Sequence, residues 1–300
     1  MTPSAAVVSA FMSDTHVMRL RDGRDLAWVE VGAPDGTPVL AFHGTPGSRL
    51  QLSFDDAAPT ASGVRLVVPD RPGYGLSTYH RKRRLIEWAD DVAQLATHLD
   101  LDRFAVVGVS GGGPHALVCG ALLPDRVSAV GVVAGVGAVR ERGSEAEMMP
   151  VNQLLTRAAR RAGWSVIPVF SAMSFAGRRW PDRLVDQMTQ QLPAADTEVL
   201  QRPDVRAAFR DDLARAPRTA GKAAAQDFAL FTRDWGFRLE DITVPVHFWQ
   251  GDADRNVPAA HAERQAAAVP GAVLHRCPGE GHLLGVPRLQ EILSTVTSTR

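Results

Sequence analysis

The chain has little cysteine: Cys119 and Cys277 are the two thiols in 300 residues. Two cysteines build no disulfide framework, so packing must hold the core, and a reducing compartment is the expected setting. Both lie in apolar surroundings and read as small core residues. Long hydrophobic runs are missing too, since no stretch reaches the ~18 apolar residues of a membrane span. Surplus charge is absent, with 33 basic against 33 acidic residues. That balance argues against nucleic acid or an anionic membrane as partner. The one local exception, His80-Arg81-Lys82-Arg83-Arg84, reads as a solvated loop or helix-end face. The start holds Ala5-Ala6-Val7-Val8 but no positively charged region before it. Residues 1–15 therefore read as a flexible leader, not a signal peptide, and the cytoplasm is the expected location. Internal repeats and low-complexity tracts are lacking.

What the chain does have is an alternation of short β-branched runs with helical patterns, the mark of a mainly parallel sheet with crossover helices. The opening differs. Met18–Leu20 and Leu26–Val31 flank the turn Arg21-Asp22-Gly23, which predicts an antiparallel hairpin. Strands are expected at Pro38–Phe42, Val64–Val68, Arg103–Val107, Ala129–Ala134, Val244–Trp249 and Ala272–Arg276. Helices are expected at Arg84–Leu99, Gly113–Leu123, Pro258–Val269 and Pro287–Thr297, the first with Leu85, Trp88, Val92, Leu95 and Leu99 on one face. From 136 to 236 the periodicity is helical and no strand is convincing. An insertion of helices there, before the sheet resumes, predicts a cap over the strands' C-terminal edge, where ligands of open α/β sheets bind. The expected fold class is α/β: about eight strands, mainly parallel, with flanking helices. The core would be 16–135 and 237–300, and the helical cap 136–236. The small basic surplus of that segment is too slight to argue for an anionic substrate.

The chemistry starts at Gly108-Val109-Ser110-Gly111-Gly112, directly after a β-branched run and before an alanine-rich helix pattern. A serine at a sharp strand-to-helix turn has its hydroxyl exposed, and small neighbours let other backbone pass. The Gly111 N–H, in the first helical turn, is free to point at an oxyanion. The loop His43-Gly44-Thr45-Pro46-Gly47 can bring the Thr45 N–H to the same point. A serine needs a general base oriented by an acid. Of nine histidines, His282 in Gly281-His282-Leu283-Leu284-Gly285 combines a glycine-flanked turn with the same sheet edge as Ser110. His247 and His275 fall inside strands, and His115 faces away along the helix. The acid is expected in Gly251-Asp252-Ala253-Asp254-Arg255-Asn256-Val257-Pro258. Asp254 is favoured there, with Asp252 as competitor and turn cap.

These residues resemble the α/β-hydrolase superfamily over nearly the whole chain. Besides the elbow, the His43-Gly44 loop, the Asp254 turn and Gly281-His282, the stretch Asp70-Arg71-Pro72-Gly73-Tyr74-Gly75-Leu76-Ser77 matches the family's D-x-x-G-x-G-x-S pattern. The order Ser, Asp, His agrees as well. The resemblance implies a structural role for Asp70 and Ser77. It implies no metal and no organic cofactor, and it allows contacts between copies through the cap. Ser110 stands where the family's dehalogenases and epoxide hydrolases carry aspartate. The expected function is a serine hydrolase for carboxylic esters or lactones of a small to medium apolar substrate. One alternative is an amidase of the proline iminopeptidase kind, with Glu141, Glu145 or Glu147 binding a substrate amine. Another is a non-hydrolytic protein of this fold: an oxygenase, a cyclase or a ligand receptor.

Overall fold

A computed structural model describes residues 15–52, 55–139, 145–217 and 219–298. The leader expectation for 1–15 falls, apart from Thr15, outside them. Eight strands form one sheet: β1 (His16–Arg19), β2 (Asp25–Gly32), β3 (Thr37–Phe42), β4 (Val64–Pro69), β5 (Phe104–Val109), β6 (Val127–Val133), β7 (Val246–Gly251) and β8 (Val273–Cys277). Their spatial order is β1-β2-β4-β3-β5-β6-β7-β8. β2 runs antiparallel to both neighbours, and every pair from β4 to β8 is parallel. The expected hairpin and parallel sheet are both present.

The strands read as continuous apolar runs because both faces are covered. Alternation sorts their side chains: Leu40, Phe42 and Val106 enter one core cluster, Val39, Ala41, Ala105 and Val107 the other. The helices are α1 (Ala57–Ala61), α2 (Glu87–His98), α3 (Gly113–Leu122), α4 (Pro150–Arg161), α5 (Ile167–Arg179), α6 (Pro181–Thr189), α7 (Ala194–Gln201), α8 (Pro203–Ala214), α9 (Ala220–Phe231), α10 (Ala259–Ala268) and α11 (Leu289–Ser298). On the first face lie Trp88, Val92 and Leu95 of α2, with Leu117 and Val118 of α3. On the second lie Leu289, Ile292, Leu293 and Val296 of α11. α2 starts later than its apolar face suggests: three-residue backbone bonds from Glu87, Trp88 and Ala89 to the Arg84, Leu85 and Ile86 carbonyls make a tight turn ahead of it. β7 starts after Pro245, which has no N–H for the ladder.

Between β6 and β7 the described residues hold helices α4 to α9 and no strand. α4, α6 and α8 each open on proline, at the position where its missing N–H costs no bond. α9 packs on α4 and α5, and α8 lies against the short turn Arg49–Leu52 that follows β3. Among the described residues no helix is long and apolar enough to cross a membrane.

Candidate active site

β5 ends in extended backbone at Val109, and Ser110 then takes φ +54° before the chain enters α3. A non-glycine residue in the left-handed region costs energy and is held only by its surroundings. They are tight: a Cβ on Gly108 would lie 2.2 Å from the Gly112 carbonyl oxygen. Gly108→Ala is therefore expected to force the turn open and cost about 1–3 kcal/mol of stability, read as a lower denaturation midpoint.

Three predicted side chains meet at this edge. The Ser110 Oγ lies 3.0 Å from His282 Nε2. His282 Nδ1 lies 2.8 Å from Asp254 Oδ2. The other Asp254 oxygen accepts the N–H groups of Asn256 and Val257, and Gln250 Nε2 also donates to Oδ2. With the carboxylate an acceptor only, Nδ1 carries the proton and Nε2 presents its lone pair to the serine. Burial alone would lower the pKa of His282, yet Asp254, helped by Asp196, lifts it above the ordinary imidazole value. Asp252 is elsewhere: it accepts the Gly279 N–H and pins the loop after β8. His247 and His275 stack on each other at the sheet edge. His115 lies against the Gly111 carbonyl, turned from the serine hydroxyl.

The His43–Gly47 loop lies over Ser110. A Cβ on Gly44 would stand 3.4 Å from the Ser110 Cβ, and one on Gly111 would stand 2.2 Å from the Thr45 Oγ1. Thr45 and Gly111 thus adjoin beside the hydroxyl, where two N–H groups can face one oxygen. Gln51 Oε1 accepts the Gly44 N–H at 2.6 Å and holds the loop from the cavity side.

Behind the loop is a buried charge network that the sequence reading did not anticipate. Arg71 donates to the Gly44 carbonyl, to Thr45 Oγ1 and, at 2.6 Å, to Asp227 Oδ2. Asp227, on α9, also takes the Tyr74 and Thr45 hydroxyls and pairs with Arg83. Arg71 and Asp227 are wholly buried. Burial would raise the Asp227 carboxyl, but the two guanidiniums hold it far below the usual carboxylate range. The solvated reading of the basic run 80–84 fails for Arg83, which is 6 % exposed because Asp227 draws it inward. His43 and His115 flank Arg71, and burial with that positive charge keeps both neutral. Asp70 has the expected structural role, bonded to Arg49 and to the Leu76 N–H. Ser77 joins β2 to the Asp70 carbonyl.

A cavity of about 300 Å³ opens over Ser110 and His282. Met173, Met188, Leu200, Phe209, Phe228 and Phe231 line it from the inserted helices. Among the described residues, Asp212 of α8 is the carboxyl on its wall, pushed by burial to about 6, with Ser48 donating to it. Of the glutamates expected to meet an amine, the two described ones are not on this wall. Glu145 is buried between Arg157 and Arg160, Glu147 is exposed, and Glu141 lies outside the described residues. No group of three or more potential metal ligands converges among the described residues.

A family model described as the alpha/beta hydrolase fold matches residues 37–287. The chain belongs to the alpha/beta hydrolase fold family. This hydrolase-fold chain is 28% identical to a probable proline iminopeptidase of Streptomyces coelicolor, over 91% of its own length and 83% of that protein. It is 34% identical to a dihydrolipoyllysine-residue acetyltransferase component of the acetoin cleaving system of Pseudomonas putida, over 116 residues. That match spans 38% of this chain and only 31% of the relative's length. A bromoperoxidase from Bacillus anthracis superposes with TM-score 0.71 at 20% identity, covering 95% of this chain and all of that one. A thermophilic esterase from Thermogutta terrifontis superposes at 0.68 with 22% identity, covering 95% and 97%. At such identities the two structures speak for the fold alone.

Proposed function

We propose that this protein is a serine hydrolase that cleaves carboxylic esters or lactones with a largely apolar body through an acyl-enzyme. The observation that carries the reading is the continuous chain of bonds Ser110–His282–Asp254 opening on an apolar cavity. His282 Nε2 takes the Ser110 proton as Oγ bonds to the acyl carbon. The Gly111 and Thr45 N–H groups receive the oxyanion, each worth a few kcal/mol to the transition state. The imidazolium, stabilised by Asp254, returns its proton to the leaving alkoxide. Water then attacks the acyl-enzyme, with the same imidazole as base, and restores Ser110. The family membership supports this reading.

The test is a series of p-nitrophenyl esters of graded acyl length. Turnover is expected for short and medium chains and should fall for the longest, since about 300 Å³ is at the small end of ligand cavities. No turnover of any ester would overturn the proposal. The pH profile is a second check. His282 must be neutral to act, and its pKa is raised. Hence kcat/KM should fall as pH drops through a midpoint above the ordinary imidazole value of about 6.5, and level off on the alkaline side.

Asp212 favours a second reading, an aminopeptidase, because a carboxyl on the cavity wall could bind a substrate amine as carboxylate. The iminopeptidase-like sequence match points the same way. Faster cleavage of an aminoacyl-naphthylamide than of the matched ester would select it.

A further inference from the structure

A second carboxylate sits at the histidine loop. Asp196 belongs to α7, in the helices between β6 and β7, and its Oδ1 accepts the Leu283 N–H at 2.7 Å. The residue is 1% exposed. A Cβ on Gly281 would fall 2.4 Å from its carboxyl carbon, so the group rests on the bare Cα of the residue before His282. Its Oδ2 is buried with no hydrogen-bond partner among the described residues. It is not on the cavity wall, so it is not placed to touch substrate.

A buried carboxylate with one donor is costly unless a positive charge compensates it. Among the described residues, the charged groups around the loop leave one candidate. Glu280, on the same loop, is bound by Arg288. Asp254 approaches His282 from the loop after β7. His261 of α10, the imidazole near Asp254, is held neutral by burial, its pKa down to about 4. His282 is the group on which the charge of Asp196 acts, in the direction that favours the imidazolium.

Resting on the hydrolase reading above, we propose that Asp196 is a positioning residue: from the inserted helices it fixes the His282 loop and steadies the positive charge the imidazole acquires during turnover. Asp254 sets the tautomer and the front of the ring, while Asp196 fixes the backbone behind it. The general base thereby works best with α7 docked on the loop.

Asp196→Asn retains the shape and the acceptor for the Leu283 N–H but removes the charge. Asp196→Ala removes both. The first readout needs no substrate: the His282 ring is titrated by NMR on histidine-labelled full chain, its signal assigned with His282→Ala. In Asp196→Asn the midpoint should drop by about half a pH unit or more, and the acid limb of kcat/KM should move with it. In Asp196→Ala kcat should fall about 10-fold or more with KM little changed, as a displaced base requires. An unchanged midpoint in the asparagine variant, or an unchanged kcat in the alanine variant, would overturn the proposal. If Asp196→Ala does not fold, the asparagine variant decides alone. Wild-type protein that hydrolyses no ester would sink the hydrolase reading and leave the NMR midpoint to judge Asp196.

Discussion

Ser110→Ala is expected to lower kcat on the best p-nitrophenyl ester by about four to six orders of magnitude, with KM changed little. The hydroxyl is the only part removed. The cavity and the N–H groups of Gly111 and Thr45 stay, so substrate should still bind and a small residual rate over water should persist. Since a serine, its base and its acid act as a unit, His282→Ala should cost a similar factor, and the double variant little more than either single one. A fluorophosphonate probe with mass spectrometry gives an independent check: the wild-type adduct belongs on the peptide containing Ser110. A Ser110→Ala protein with ordinary turnover would place the nucleophile elsewhere.

Asp227→Ala should be the most destabilising of the single substitutions considered. It leaves the wholly buried guanidinium of Arg71 and the nearly buried one of Arg83 without their counter-charge. Removing one partner from such a network costs about 3–5 kcal/mol. The denaturation midpoint at neutral pH reads that loss. The carboxyl is depressed in the folded protein, so its contribution is present above the unfolded value near 3.8 and is lost as pH falls through the folded one. The gap between wild type and variant should thus narrow only in strong acid. Because Asp227 also holds the Thr45 hydroxyl and Arg71 holds the Gly44 carbonyl, surviving folded variant should lose kcat too. Equal midpoints for wild type and variant would show that α9 does not anchor the loop.

The sequence made the frame and the three reacting side chains legible because each has a local signature. Strands covered on both faces read as unbroken apolar runs, and Ser110 sits in a pentad whose glycines the turn requires. Asp254 could be preferred to Asp252 only by spacing; the bonds to His282 and Gly279 separate the two. Asp227 and Asp196 carried no such mark. Each is an acidic residue on a helix between β6 and β7, where solvent exposure is the ordinary expectation, and each finds its partner through tertiary approach alone. Arg83 was hidden in a basic run for the same reason. One signal was available: Arg71 is the one basic residue inside the glycine-rich motif 70–77, between Asp70 and Pro72.

The two carboxylates of the inserted helices bear on how this fold can be re-engineered. Asp227 grips the stretch of cavity wall that carries Thr45, and Asp196 grips the one that carries Leu283. A chimera that imports the 136–236 stretch of a relative to change selectivity would discard both grips at once. Transplants would succeed only from donors that supply an acid at each place, or with Arg71 and Arg83 recast in the recipient scaffold.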